Sequence, residues 1–457
     1  MTRTVETVIH RNQERDRVLK KVKQIIIERL NLDLSIEEID DDSPLFGMGL
    51  GLDSIDSLEL VVGVEDEFEV QIMDEDIEAF LSVNALVDFI LHNGAPPAME
   101  PYRSSPDADA QPWIAQYVKL REEAFFYETR CRLIELPEGD DTMALISRVV
   151  TGRDILLEPN RMLHSAILDD HGRILDFIYV LMFENKFWLV MGPDAIEAQA
   201  FLASEAEKAG IAMSVMDDQY SFLSLEGPYS WKAIKAVAGF EITGLTYLSF
   251  MEPVLADETY VLCRAGVTNE YGFRMIVPRR NHHKLIEAIE AHAEFGIRLN
   301  RDQALIKQVL TCASTEVRFP LLDVSVPKLA NPVEYELRWM IDFRKTDYPG
   351  KRAIDHMIPN FDFKVIGFVV SEYMSDADYS SLTDGGLVYL EDQCIGKVLN
   401  LQKSIGIDQY IGYALLEKAW AYVGNQEYSL GKGGAEISLR TIATPMLVTK
   451  SMGIIME

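Results

Sequence analysis

Gly51-Leu52-Asp53-Ser54-Ile55-Asp56-Ser57-Leu58-Glu59-Leu60 decides how the first part of this chain is read. A serine flanked by aspartates is followed by Leu58, Leu60, Val61, Val62 and Val64 at helical spacings, and Glu65-Asp66-Glu67-Phe68-Glu69 carries the helix to its end. A helix N-terminus offers free backbone N–H groups and the positive end of the dipole, so a phosphate esterified to Ser54 would be well placed there. A simple N-cap is the competing reading, because Ser and Asp are preferred at that position.

Working outward, Val18, Val22, Ile25, Ile26 and Ile27 give a helix from Arg17 to Leu30, after a polar and frayed start over residues 1–13. Leu32–Asp42 reads as an acidic loop, Asp74–Phe80 as a turn and Asn84–His92 as the last helix of a four-helix domain over residues 14–94. Residues 95–112, rich in Pro, Ala and Ser, read as a linker able to span roughly 50 Å if extended.

The texture then changes. Thr142–Val150, Leu175–Met182, Phe187–Met191, Ser221–Leu225 and Tyr260–Ala265 look like strands. They alternate with helical stretches at Ala195–Ala209, Tyr229–Ala238, His282–Ala293 and Asp302–Leu310, an α+β pattern over residues 113–360. Residues 361–457, with "VIGFVVSEY", "GGLVYLEDQCIGKVLN", "QYIGYALLE" and "TPMLVTK", read as short strands of a small β-barrel or sandwich.

Composition sets limits. At 457 residues with 48% hydrophobic content the chain can build two or three cores. No stretch approaches the roughly 18–20 apolar residues of a membrane helix, and Met1 to Arg17 carries no signal-peptide run. The 4 cysteines, Cys131, Cys263, Cys312 and Cys394, lie far apart, which points to a reducing, cytoplasmic compartment and to no metal site. A net charge of −30 argues against nucleic acid as a partner. From Arg17 to Gly94, 5 Lys/Arg face 19 Asp/Glu, a net of −14. Such an acidic surface could guide the domain to basic patches on partner enzymes, or serve only solubility.

The segment from about Arg17 to Asn93 resembles the acyl carrier protein family. Asp53-Ser54-Ile55 matches its Asp-Ser-Leu motif, "SPLF" at Ser43–Phe46 its lead-in, and "VQIMDEDIEAFLSVNALVDFI" its later helices. The "LGLDSIDSLELVV" spelling is similar to carriers of secondary-metabolite and aryl-lipid pathways. The resemblance implies 4′-phosphopantetheine on Ser54 beside Asp53, attached by a phosphopantetheinyl transferase and holding an acyl or aminoacyl thioester. No adenylation or acyltransferase signature is present, so a separate loading enzyme is expected.

The remainder, from about Trp113 to Lys450, resembles the T protein of the glycine cleavage system, the tetrahydrofolate-dependent aminomethyltransferase. "LDDHGRILDFIYV" (Leu168–Val180), "LSLEGPYSWKAI" (Leu223–Ile234), "RAGVTNEYGFRMIVP" (Arg264–Pro278) and "NPVEYELRWMIDFRKTDYPGKRAI" (Asn331–Ile354) carry it. It implies one-carbon transfer from a swinging arm to tetrahydrofolate, with a catalytic aspartate and a glutamate facing the pterin's N–H edge. Here the aspartate position falls on Phe177, with Asp176 one place earlier; Asp176 would act only through a bulge or a register change. The glutamate falls on Arg274, which has donors only and would anchor a carboxylate or the arm's phosphate, unless it forms a surface salt bridge. Glu270 matches the hairpin's acidic tip, and Lys307 stands for a family arginine. His164, His171, His282 and His283 read as structural, and Trp188, Trp231 and Trp339 as core.

The expected protein is therefore a biosynthetic enzyme processing a carrier-bound substrate, with Asp176 and Arg274 catalytic and Ser54, Asp53, Glu270 and Lys307 holding cofactors. Aminomethyl transfer, folate-independent chemistry in a repurposed pocket, and a non-catalytic docking scaffold remain as alternatives.

Overall fold

The computed structural model describes residues 3–45, 49–52, 54–73, 76–92, 111–152, 158–238, 242–255, 257–292, 294–322, 326–370, 376–383, 385–431 and 436–456. The linker expected over 95–112 lies outside them as far as residue 110. Gln111 is already the N-cap of a helix that Pro112 opens, where its missing N–H costs nothing.

The amino-terminal region holds α1 (Arg3–Arg29), α2 (Ser54–Phe68) and α3 (Val83–Leu91) around a core that includes Val22, Ile26, Leu60, Val64, Leu86 and Phe89. Among the described residues a 3-10 turn at Ile77–Phe80 stands within the stretch expected as a turn. The frayed start is also corrected. Val8 is fully buried in a distant core, Arg11 pairs with Glu427 at 2.7 Å, and Asn12 donates to the Ala419 carbonyl at 3.1 Å. A polar sequence hid this contact because its partners lie 400 residues away in the chain (|i−j| = 407 for Asn12 and Ala419).

After α4 (Pro112–Glu122) come β1 (Phe125–Thr129), β2 (Arg132–Pro137), α5 (Asp140–Val149), β3 (Met162–Leu168), β4 (Ile174–Met182) and β5 (Lys186–Met191). Then follow α6 (Ile196–Lys208), β6 (Ser214–Val215), β7 (Tyr220–Glu226), α7 (Ser230–Ala238), β8 (Phe250–Met251), β9 (Val254–Leu255), β10 (Glu258–Thr259), β11 (Val261–Cys263), β12 (Gly272–Pro278), α8 (His282–Glu290), β13 (Leu299–Asn300) and α9 (Gln303–Val317). One sheet has the order β3-β4-β5-β2-β6 and a second β13-β1-β7-β12-β11-β8; β9 and β10 pair separately. Thr142–Val150, read as a strand, is α5: Thr142, Leu145, Ile146 and Val149 are buried at helical spacing, and Asp140 and Asp141 favour its N-terminus. α9 runs on to Val317, past the expected end at Leu310.

α10 (Lys351–Asn360) precedes a closed barrel that also carries α11 (Asp376–Thr383). Its strands are β14 (Phe363–Val370), β15 (Leu387–Leu390), β16 (Gln393–Lys403), β17 (Tyr410–Glu417), β18 (Tyr428–Gly431) and β19 (Glu436–Ile442), in the order β14-β17-β16-β15-β18-β19. "TPMLVTK" is not a strand but the segment that follows the barrel, with Met446 and Leu447 buried. No described helix is long and apolar enough to cross a membrane.

The helical region is fixed to the rest by a buried ionic cluster. Asp41 pairs with Lys364 and, at 2.5 Å, with Lys23. Arg338 reaches Asp40 and Glu336, each at 2.7 Å, and Arg318 meets Asp42. Backbone bonds reinforce the contact: Asp41 N–H donates to Glu336 at 2.7 Å and Arg338 donates to the Glu37 carbonyl at 2.7 Å. These three aspartates, counted above with the acidic surface, face inward. Arg318 is the left-handed C-cap of α9 (φ 55°), and Glu336 also has φ 55°, conformations that cost of order 1–3 kcal/mol and persist only where the surroundings enforce them. Arg318→Met or Asp42→Asn would strand a buried charge and should cost about 3–5 kcal/mol, while the Asp42→Asn/Arg318→Met double variant should lose far less than the sum. Urea unfolding of the four proteins measures this, and additive losses would refute the pairing.

Candidate functional site

Strand β4 of one sheet, strands β1 and β12 of the other, and helix α9 enclose an inner cavity of about 460 Å³. Asp176, Arg274 and Lys307, separated by up to 131 positions, all line it. The β3–β4 ladder is irregular just before Asp176: Ile167 faces Asp176 but Leu168 faces Ile174, leaving Leu175 unmatched. Asp176 and Phe177 both border the cavity although they are adjacent in the regular part of the ladder, opposite Ile167 and Ala166. The Asp176 carboxylate accepts from the Gly192 N–H at 3.0 Å and from its neighbour Phe177 N–H at 2.9 Å. Burial outweighs these bonds and pushes its pKa up to about 6.

Arg274 is not a surface residue. Its guanidinium lies 4.7 Å from the Tyr179 ring centroid, on the cavity wall. His164, stacked on Tyr179 at 4.3 Å and on Phe319 at 5.7 Å, is held neutral by burial with Arg274 adding to it, its pKa pushed down to about 3. Cys131 borders the cavity and Cys263 packs near Arg274, but burial raises both thiols, Cys263 to about 12, so neither serves as a thiolate nucleophile. Phe177, Leu310 and Leu322 supply apolar wall, and Lys307 is exposed at the mouth beside Arg130, Lys328 and Asp194.

A second cavity of about 310 Å³ lies between the helical region and the rest. Asp42, Pro44 and Leu81 form its carrier side; Arg264, Tyr271, Arg318, Trp339 and Phe319 stand across from them. Phe319 lines both cavities, so its ring is shared wall. Arg264 donates to the Gly272 carbonyl at 3.2 Å and stacks on Tyr271 at 4.6 Å. Trp339 is half-buried here rather than in a sealed core.

Ser54 opens α2; Asp53 lies outside the described residues. The chain just before Ser54 is pinned to the outer cavity's wall: Leu50 N–H donates to Pro44 O at 2.9 Å and Leu52 N–H to Leu45 O at 3.0 Å. Two residues span at most about 7 Å, so Ser54 lies within that reach of Leu52. Glu270 is neither a solvated tip nor part of the inner cavity. It borders the outer one and is buried, with its oxygens taken by Arg121 at 3.2 Å and by the Ser451 hydroxyl at 2.6 Å. Phe319, Tyr179 and Arg264 were not singled out from sequence, and His164 was set aside as structural. Arg264, at the head of the quoted hairpin segment, and Tyr179, within the quoted Leu168–Val180 segment, carried a local signal.

Residues 105–345 match the family described as the GCVT N-terminal domain, and residues 20–90 match the one described as a phosphopantetheine attachment site. An aminomethyltransferase of Halothermothrix orenii is 24% identical over 265 residues, 55% of this chain and 72% of that protein. One from Streptomyces coelicolor is 24% identical over 348 residues, 72% of this chain and 90% of its own length. The solved glycine cleavage system aminomethyltransferase T from Bartonella henselae superposes with a TM-score of 0.62 at 18% identity, covering 73% of this chain and 89% of that one. At that identity the likeness shows the fold.

Because the folded pKa of Asp176 lies above the unfolded value, the native state binds more protons between about pH 4 and 6, and stability attributable to this group falls as pH rises through that window. Asp176→Asn should remove the fall. Its melting temperature relative to wild type should rise from pH 4 to pH 7, and a difference that stays flat with pH would contradict the buried, raised carboxyl.

Proposed function

The chain belongs to the family described as the GCVT N-terminal domain and carries a phosphopantetheine attachment domain ahead of it, and from that premise we propose a transferase that processes, in its inner cavity, a substrate carried on the arm of Ser54. One observation carries the reading. Asp176 and Arg274, from different sheets, meet in a cavity whose Phe319 wall is shared with a chamber that the carrier itself roofs.

Phosphopantetheine suits Ser54, the first residue of a 15-residue helix whose first-turn N–H groups favour a phosphate. When bound, it supplies a long flexible arm ending in a thiol that holds an acyl or aminoacyl group as a thioester. Arg264 offers donors to the arm's carbonyl oxygens in the outer cavity, and Phe319 controls passage inward. Asp176, nearly half ionised at a pH near 6, accepts a proton from the carried group onto a carboxylate oxygen. Tethering raises the effective concentration of the substrate without requiring tight binding.

Tetrahydrofolate fits less well. The position that the family resemblance assigns to a glutamate holds the Arg274 guanidinium on the cavity wall, so the pterin's N–H donors would face a donor. No step is routed through folate, and the chemistry proposed is folate-independent transfer in a repurposed cavity.

The loading enzyme and the phosphopantetheinyl transferase would dock on α2, where Ile55 and Leu58 are each 66% exposed and Val62 49%, one stripe along the helix with Glu59 and Glu69 nearby. A cytoplasmic biosynthetic setting accords with the four free cysteines, Cys131, Cys263, Cys312 and Cys394. Loading the arm from a panel of acyl-coenzyme A thioesters and following it by intact-protein mass spectrometry should show conversion in the wild type and no loading in Ser54→Ala. Asp176→Asn should slow conversion about 10²–10⁴-fold. Conversion at the wild-type rate in Asp176→Asn would sink this reading.

A further inference from the structure

Arg274 stands near the buried Glu226, which acts on it at a distance, but has no carboxylate at salt-bridge range among the described residues. The Tyr179 ring at 4.7 Å is its neighbour in the wall. The carboxylate sharing the cavity, Asp176, is engaged by the Gly192 and Phe177 amides. Glu226, on the strand beside β12, is taken up by Tyr127, Val267 and Thr268. An arginine stays charged at any physiological pH, and a buried cation left unpaired is costly. Its planar fork matches a carboxylate, which would bring the missing acceptor oxygens and the missing charge together.

The mouth repeats the preference. Arg130, Lys307 and Lys328 are exposed there against Asp194, three cations to one acid, on a chain whose net charge is −30. A local basic ring on an acidic protein draws anions to this opening. Inside, Phe177, Leu310 and Leu322 offer apolar wall to the rest of the ligand.

We propose that Arg274 anchors the carboxylate of a substrate with an apolar body. The carboxylate belongs either to a free small molecule entering through the basic mouth or to the group on the arm. A single half-buried guanidinium suits one carboxylate better than a phosphate dianion, since the other cations lining the cavity, Arg130, Lys307 and Lys328, are exposed at its mouth. The inference rests on the proposed function only in taking the inner cavity as the reaction chamber; binding itself needs no arm.

Calorimetric titration of benzoate, succinate, inorganic phosphate and tetrahydrofolate into the full-length protein without its arm tests this. Benzoate or succinate should bind, about ten- to a hundredfold more weakly to Arg274→Gln and by an intermediate amount to Arg274→Lys, and Ser54→Ala should leave that binding unchanged. If the carboxylate is arm-borne, free acids bind weakly, and loading with a succinyl group raises the melting temperature over a butyryl group in wild type but not in Arg274→Gln. Arg274→Met, which removes the unpaired charge, should melt no lower than wild type while losing the ligand. No carboxylate binding together with no succinyl–butyryl difference overturns the proposal, as does phosphate binding more tightly than either acid, tetrahydrofolate binding independently of Arg274, or a clear drop in melting temperature of Arg274→Met. Carboxylate binding that persists when Asp176→Asn leaves conversion untouched would retire the transferase reading and keep this one.

Discussion

The position of the carrier helices depends on the ionic cluster of Asp40, Asp41, Asp42 and Glu336 with Lys23, Arg318, Arg338 and Lys364. Four acids meet four bases, so the buried assembly is balanced, and each member is costly only when its partner is removed. Apolar residues of similar volume could hold two surfaces together as firmly. What charges add is orientation, because each pair has a narrow geometry and a wrong register leaves a bare charge in the interior. With the amino-terminal half of α1 seated on the barrel through Val8, Arg11 and Asn12, the carrier has contacts on two sides.

Helix α9 turns that contact into a relation between sites. Asp302 caps its start, accepting from Ala304 and Leu305 amides at 3.0 and 3.2 Å. Ile306, Lys307 and Leu310 line the inner cavity from its first turns, and its left-handed end aims Arg318 at Asp42 and sets Phe319 between the two cavities. One rigid element thus joins the cavity mouth, the shared aromatic wall and the seat of the carrier. The backbone leading to α2 is held against the same contact, with Leu50 donating to the Pro44 carbonyl.

Much of this was legible in the sequence, and the exceptions have physical causes. Periodicity identified α2, β4, β5 and β7, whose apolar faces answer to a local pattern. It failed at Thr142–Val150, where a β-branched, apolar run outweighed the helical spacing of Thr142, Leu145, Ile146 and Val149. Asp176 and Arg274, read from a strand and from a departure from a family pattern, both border one cavity, and the ladder irregularity falls on Leu175, next to Asp176. Glu270 was located but its surroundings were not: a hairpin tip reads as solvated until the chain brings Arg121 and Ser451 to it. The ionic cluster was illegible for the same reason. Asp40, Asp41 and Asp42 have the composition of a solvated loop, and their partners at 318, 338 and 364 lie in segments that carry no mark of the contact.

The two charged groups lining the inner cavity, Asp176 and Arg274, form no salt bridge with each other. Had Asp176 faced Arg274 at bonding distance, the guanidinium would have held the carboxyl well below the usual range and spent the cation's donors. Instead burial dominates at Asp176 and raises it to about 6, with no contribution from Arg274 among its leading influences. The Gly192 amide anchors the acid to the end of β5, while Tyr179 supports the arginine on the far side of β4's next turn of alternation. An acid near its titration point and a fixed cation, each braced by a different part of the fold, can serve two ends of one ligand.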